Sequence, residues 1–196
     1  YLCIAGELAA VICIFDPLRA EAKDAIRALH ACGISKVVMM TGDNRRTAAS
    51  VAEEVGVDEF YAEVLPEDKA AFIRREKAAG RTVIMIGDGV NDSPALSEAD
   101  AGVAISTGAA IAREIADITI ASEDLFELVT LRRISEALMG RIHRNYRFIV
   151  GFNLGLIVFG VAGLLPPTTS ALLHNASTLA ISLKSMTNLL PDKKKI

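Results

Sequence analysis

Short apolar runs alternate with amphipathic stretches over the first two thirds of the chain, and two longer apolar stretches follow. Residues 8–15 are largely apolar and end in Asp16-Pro17-Leu18-Arg19. Over 21–31, Ala22, Ile26 and Leu29 fall on one side and Glu21, Lys23, Asp24 and Arg27 on the other, which predicts a helix closed by Gly33. The pattern recurs as a buried strand at 36–40, a helix over 45–55 stopped at Gly56, an extended piece at 60–62, and a helix that Pro66 opens and Gly80 ends. Thr82-Val83-Ile84-Met85-Ile86 has the length and β-branching of a buried strand and stops at Gly87-Asp88-Gly89. Beyond it the pattern predicts a short helix over 92–98, a strand at 102–105, a helical turn near 109–115 and a strand at 117–121.

From Asp124 the helical pattern hardly stops. Leu125, Leu128, Leu131, Ile134 and Leu138 form one stripe, with Glu127, Arg132, Arg133 and Glu136 elsewhere. This predicts one long amphipathic helix running into residues 148–165, eighteen positions without a charge and so a candidate membrane span. Pro166-Pro167 ends it. A second stretch, 170–190, is long enough to span but carries His174, Asn175, Ser177, Thr178, Lys184 and Asn188. Alone it also fits an interfacial or soluble amphipathic helix; paired with the first it reads as the other arm of a transmembrane hairpin.

Strands alternating with helices predict an α/β fold, a parallel sheet with helices on both faces. Ligands gather beyond the carboxyl ends of such strands, and three predicted strand ends finish in Asp16, Thr41-Gly42-Asp43 and Gly87-Asp88. The expected organisation is an α/β domain over 1–123, a connecting helix over 124–147, two transmembrane helices over 148–190 and a basic tail over 191–196.

Composition localises this picture. Hydrophobic residues make up 52% of the chain beside 23% charged ones, and the mean hydropathy of +0.37 owes most to the region after Phe148. Residues 141–196 carry a net +6, leaving −9 for residues 1–140 within the overall −3. An acidic domain followed by a basic, apolar tail argues against a nucleic-acid binder, whose basic patch would sit on the folded part. The arginines before the hairpin and Lys193 to Lys195 after it place residues 1–147 and the C-terminus in the cytosol. Cys3, Cys13 and Cys32 lack metal-ligand spacing and read as reduced, partly buried thiols. The chain begins at Tyr1 in mid-pattern and shows no signal peptide, so it reads as part of a longer protein or as a truncated product.

The densest chemistry lies in Gly87-Asp88-Gly89-Val90-Asn91-Asp92-Ser93-Pro94-Ala95-Leu96. Asp88 is held at a strand end, and Asp92 lies where a helix opens with Pro94 in its first turn. Two carboxylates and an amide converging there suit Mg²⁺ holding a phosphate, although Asp92 could equally serve as a helix cap. Thr41 offers a hydroxyl and Gly42 an unshielded N–H for phosphoryl oxygens. Lys69, after the proline-led helix start, can place a point charge on a transferring phosphoryl group or sit on the surface as an ordinary lysine.

Read together in this order, Thr41-Gly42-Asp43, Pro66-Glu67-Asp68-Lys69 and Gly87 to Leu96 resemble the phosphorylation domain of the P-type cation-transporting ATPases, a haloacid-dehalogenase-like fold. The hairpin narrows the resemblance to the heavy-metal branch, and it covers essentially the whole chain. The resemblance implies Asp88 and Asp92 as Mg²⁺ ligands, and Thr41, Gly42, Asp43, Lys69 and Asn91 as catalytic residues around the phosphate. It places Asp16 and Arg19 on the nucleotide side, where the chain returns from a nucleotide-binding domain. It implies ATP as substrate, a heavy-metal cation as cargo, contact with membrane lipid, and a multi-pass location in the plasma membrane. Asn153, His174, Asn175 and Ser177 become candidates for the metal's path, since polar groups at that depth are costly unless used; helix–helix hydrogen bonding explains them equally well. His174 and Lys184 depart from the copper-pump pattern and leave zinc, cobalt or another divalent ion open.

The family's nucleophile lies in an Asp-Lys-Thr-Gly-Thr segment that this chain does not contain, so the aspartyl-phosphate must form on a missing N-terminal portion and the chain alone should be inactive. The strand that bears the nucleophile is central in the family, which predicts an apolar opening between its neighbours here. Two other readings remain: a membrane-anchored phosphatase of the same fold using Asp16, and a catalytically inactive truncated product.

Overall fold

The computed structural model describes residues 2–11, 17–88, 91–105, 114–122 and 124–190. In order the elements are β1 (Leu2–Ile4), β2 (Glu7–Ala10), α1 (Ala22–Ala31), β3 (Val38–Met40), α2 (Arg45–Val55), β4 (Glu59–Tyr61), α3 (Pro66–Ala78), β5 (Ile84–Gly87), α4 (Ser93–Glu98), β6 (Ala101–Ile105), β7 (Ile118–Ile120), α5 (Phe126–Val161) and α6 (Pro167–Ser185). They form two compact units, Tyr1–Glu127 and Leu128–Ile196.

The first unit alternates strands and helices as the pattern predicts, and its local punctuation works as expected. Asn44 caps α2 by accepting the Thr47 N–H at 3.0 Å, and Gly56 closes it in the left-handed region at φ 78°. Pro66 opens α3, where the Asp68 carboxylate accepts the Leu65 N–H at 3.2 Å. The helices close through small residues. Ala25, Ala48, Ala70, Ala95 and Ala104 are buried with Ile73, Leu96 and Val103, and α3 packs on α4 while α4 lies on β5 and β6.

β3 pairs in parallel with β4, and β5, β6 and β7 form a second parallel ladder in that order. One device recurs in both. Asp58, Asp100 and Asp117 each directly precede a strand and accept a backbone N–H from its neighbour, from Val37 at 2.6 Å, Val83 at 2.8 Å and Gly102 at 2.7 Å. These bonds set the parallel register, and the one from Val83, with Lys77 nearby, holds the Asp100 carboxyl below the usual carboxylate range.

Two expectations are corrected here. The described strands do not form one continuous sheet: the β3–β4 ladder and the β5–β6–β7 ladder are separate, and β1–β2 is an antiparallel hairpin of its own. Ile84 and Ile86, which read as buried strand residues, are 46% and 40% exposed on β5. Among the described residues β5 stands at the end of its ladder, with these isoleucines exposed. The run over 8–15 becomes β2 only to Ala10, since residues 12–16 lie outside the described residues, as does most of the helical turn at 109–115. Cys3 is exposed and Cys32 half-buried, and Cys13 is not among the described residues.

The expected transmembrane hairpin over 148–190 is the second correction. Two helices are present, but among the described residues no helix is long and apolar enough to cross a membrane. The uncharged stretch 148–165 is cut short because α5 ends at Val161 and the chain turns through Gly163 at φ 72°. Arg144, Arg147 and Asn153 then dilute the apolar part that remains helical, and His174, Asn175 and Lys184 do the same in α6.

Candidate active site

Parallel strands deliver their C-terminal ends, and so the residues after them, to one edge. After β3 come Thr41, Gly42 and Asp43. Thr41 is tied into the ladder by its N–H to the Tyr61 carbonyl at 3.0 Å, and its carbonyl accepts from Val64 at 3.0 Å. Its hydroxyl donates to Asp43 Oδ2 at 2.9 Å, while the Asp43 N–H donates back to Thr41 Oγ1 at 3.1 Å. A further bond from Glu63 N–H to the Asp43 carbonyl, 2.9 Å, pins the loop to the β4–α3 connection. The Thr41-Gly42-Asp43 turn is therefore a closed, preformed unit with Gly42 exposed on it.

After β5 comes Asp88, exposed, and Asp92 stands at the N-terminus of α4 with its carbonyl accepting the Leu96 N–H at 2.9 Å. Lys69 in the first turn of α3 reaches Asp92, Nζ to Oδ1 at 2.7 Å, with side chains only 15% and 13% exposed. The structure thus joins two residues that lie far apart in sequence. α3 and α4 are also tied at their other ends, where Arg74 meets Glu98 at 3.2 Å and Lys77 donates to the Glu98 carbonyl at 2.7 Å. Sequence patterning did not single out Arg74, Lys77 or Glu98, because on each helix they read as ordinary solvated charges.

The donors fit Mg²⁺ in one specific way. Asp88 and Asp92 supply hard carboxylate oxygens and Asn91, exposed between them, an amide, while Lys69 occupies one oxygen of Asp92. Among the described residues no group of three or more His, Cys, Asp or Glu side chains gathers to hold a metal. So small and open a set suits an ion that keeps several waters and shares a phosphate, and it does not suit one caged by protein.

The other predicted residues lie elsewhere. Asp16 is outside the described residues. Arg19 lines a shallow groove with Glu21, Asp124 and Phe126. In the second unit His174 Nδ1 and Asn153 Oδ1 are 2.8 Å apart, joining α6 to α5. Both residues line an open pocket of about 680 Å³ with Asn175, Ser170, Leu156 and Pro167. Ser177 is not brought into it, since its hydroxyl donates to the His174 carbonyl at 2.8 Å. Arg141, unmarked in sequence beyond its charge, donates to the carbonyls of Ser185, Thr187 and Asn188 at 2.8, 2.6 and 2.8 Å. Beside it Asn145 Nδ2 donates to Ser185 Oγ at 2.9 Å.

With that geometry in view, the haloacid dehalogenase-like hydrolase family matches residues 2–100. The chain belongs to this family. Within the haloacid dehalogenase-like hydrolases its relatives are heavy-metal P-type ATPases. It is 46% identical to copper-transporting ATPase 2 of Rhizobium meliloti (strain 1021), over 88% of this chain and 21% of that protein. It is 40% identical to the manganese-exporting P-type ATPase of Mycobacterium bovis, over 92% of this chain and 25% of that one. Among solved structures it resembles a zinc-transporting PIB-type ATPase in the E2·Pi state, with a TM-score of 0.81 and 33% identity over 87% of this chain and 28% of that chain. The haloacid dehalogenase-like chain thus spans about a fifth to a quarter of the curated relatives' length and corresponds to their phosphorylation part.

Proposed function

We propose that the chain is the phosphorylation part and C-terminal helix pair of an ATP-driven heavy-metal pump. The observation that carries this is the buried Lys69–Asp92 pair at the end of β5, with the Thr41 turn following β3 of the other parallel ladder. That is an arrangement of point charge, hydroxyl and hard oxygen donors suited to a phosphoryl group. In this reading Asp88, Asn91 and Asp92 hold Mg²⁺ and its waters, which supplies charge neutralisation at the phosphate. Lys69 lowers the cost of charge developing on the phosphoryl oxygens, and Thr41 and Gly42 orient them. The aspartate that accepts the phosphoryl group from ATP belongs to a portion of the pump outside these residues, and Arg19 stands on the nucleotide side. The identity of the relatives favours this over a stand-alone phosphatase using Asp16.

The second unit fits a helix pair that packs its apolar surface against other segments of the pump. Phe148, Leu154, Ile157, Phe159, Leu172 and Leu179 are exposed, an apolar surface too large for water. Polar positions such as Asn153, His174 and Asn175 would be covered by neighbours. We place residues 1–147 on the cytosolic side of the plasma membrane and His174, with Asn153 and Asn175, beside the path of a divalent cation.

The test uses the full-length protein. Radiolabelled ATP with Mg²⁺ should label it, Asp88→Asn should reduce labelling by about 100-fold or more, and His174→Ala should lower metal-stimulated turnover while leaving labelling by inorganic phosphate intact. An unlabelled wild-type protein would remove the pump reading; metal-stimulated turnover unchanged in His174→Ala would remove His174 from the path.

A further inference from the structure

We propose that Gly87 and Gly102, which carry no functional group, are positioning residues that together seat Asp92. A Cβ at Gly87 would lie 2.6 Å from Asp92 Oδ2, 2.9 Å from its Cβ and 3.2 Å from its Cγ. One at Gly102 would lie 2.7 Å from the Leu96 carbonyl oxygen and 3.2 Å from its carbon. Neither glycine has the positive φ that Gly56 or Gly163 shows, so backbone conformation does not demand glycine at either position. Space does. The Asp92 carboxylate lies across the bare backbone at the end of β5, and α4 lies against the bare backbone of β6.

The two contacts converge on one side chain by different routes. At Gly87 the obstructing atoms are the Asp92 side chain itself. Rotating the carboxylate off Lys69 clears Oδ2 and Cγ, but the Asp92 Cβ at 2.9 Å moves only with the start of α4, so an added methyl both breaks the buried pair and shifts that first turn. At Gly102 the obstruction is helix backbone, which cannot rotate away. An added methyl there lifts α4, and Asp92 moves with it because its carbonyl holds the Leu96 N–H. The seat deepens the pump reading by naming what sets the Mg²⁺-side carboxylate, and it rests on that reading only for its catalytic consequence.

Two measurements on Gly87→Ala separate the seat from the pump. In the crystal structure of the full-length variant, the Lys69 Nζ to Asp92 Oδ1 contact should open beyond hydrogen-bond distance, and the melting midpoint should fall by several degrees, as the loss of a largely buried ion pair requires. In the full-length protein the Mg²⁺ needed for half-maximal phosphoenzyme should rise about 10- to 100-fold, as when a supporting contact to a metal ligand is lost, more than the maximal level falls. Gly102→Ala should show the same Mg²⁺ shift together with a clearly lower melt. A Gly87→Ala structure that keeps the Lys69–Asp92 contact overturns the proposal, as does an unchanged Mg²⁺ requirement in a variant whose melt has fallen, which would make the glycine a packing residue. A wild type that forms no phosphoenzyme removes the pump reading and leaves the crystallographic result standing.

Discussion

Lys69 and Asp92 show how much of this site a single distance decides. Each has an ordinary reading in the sequence, a surface lysine and a helix cap, and the 2.7 Å contact between two largely buried side chains excludes both. An exposed pair would contribute little, whereas breaking a buried one strands the remaining charge. Lys69→Met should therefore lower the stability of this chain by about 3 kcal/mol, read from urea unfolding. A loss under about 0.5 kcal/mol would make the pair equivalent to a surface one. The residues of the site were legible because phosphate chemistry draws on few side-chain types. Which of them meet was not, because pairing across 23 positions leaves no periodic trace. Gly87 was visible only as a turn residue, and its close approach to Asp92 belongs to three dimensions.

At the scale of elements, boundaries set by local chemistry were readable and pairings were not. α2 runs over the residues its pattern marks, because Asn44 and Gly56 act within one turn of the helix they bound. Asn44→Ala should cost about 1 kcal/mol, since only its side chain accepts the Thr47 N–H; thermal melts of the chain measure this, and no change would mean that water replaces the cap fully. The division of the strands into separate ladders had no local signal. Ile84 and Ile86 have the character of a buried strand wherever their partner lies, so composition could not show that β5 stands at the end of its ladder among the described residues. The same limit applied to α5. The apolar stretch was read correctly as helix, but the turn at Gly163 falls inside it and divides what looked continuous.

For the whole molecule, the charge pattern sets how the fold answers to pH. Lys36 holds the Glu59 carboxyl down, Arg81 does the same for Glu76, and the Val83 N–H does so for Asp100. A carboxyl whose folded value lies below its unfolded one stabilises above the unfolded value and loses that contribution as pH falls through the folded one. The melting midpoint should therefore stay level from neutral pH to about 5 and drop below about pH 4. Lys36, raised chiefly by the same Glu59 hydrogen bond, works in the other sense, stabilising below its unfolded value and ceasing to do so at strongly basic pH. A midpoint that falls steadily between pH 7 and 5 would mean that other groups govern the fold.

The grip of Arg141 gives the helix pair a mechanical character. One guanidinium holds three carbonyls at the foot of α6, so sliding or turning that helix against α5 would have to break all three bonds together. The foot behaves as a fixed pivot. At the opposite end the chain itself joins the helices through Gly163 and Pro166, so the pair is tied at both ends and what play it has lies between them. The pocket beside His174 lies between these two ties, so its width answers to a bowing of either helix and not to the two sliding apart.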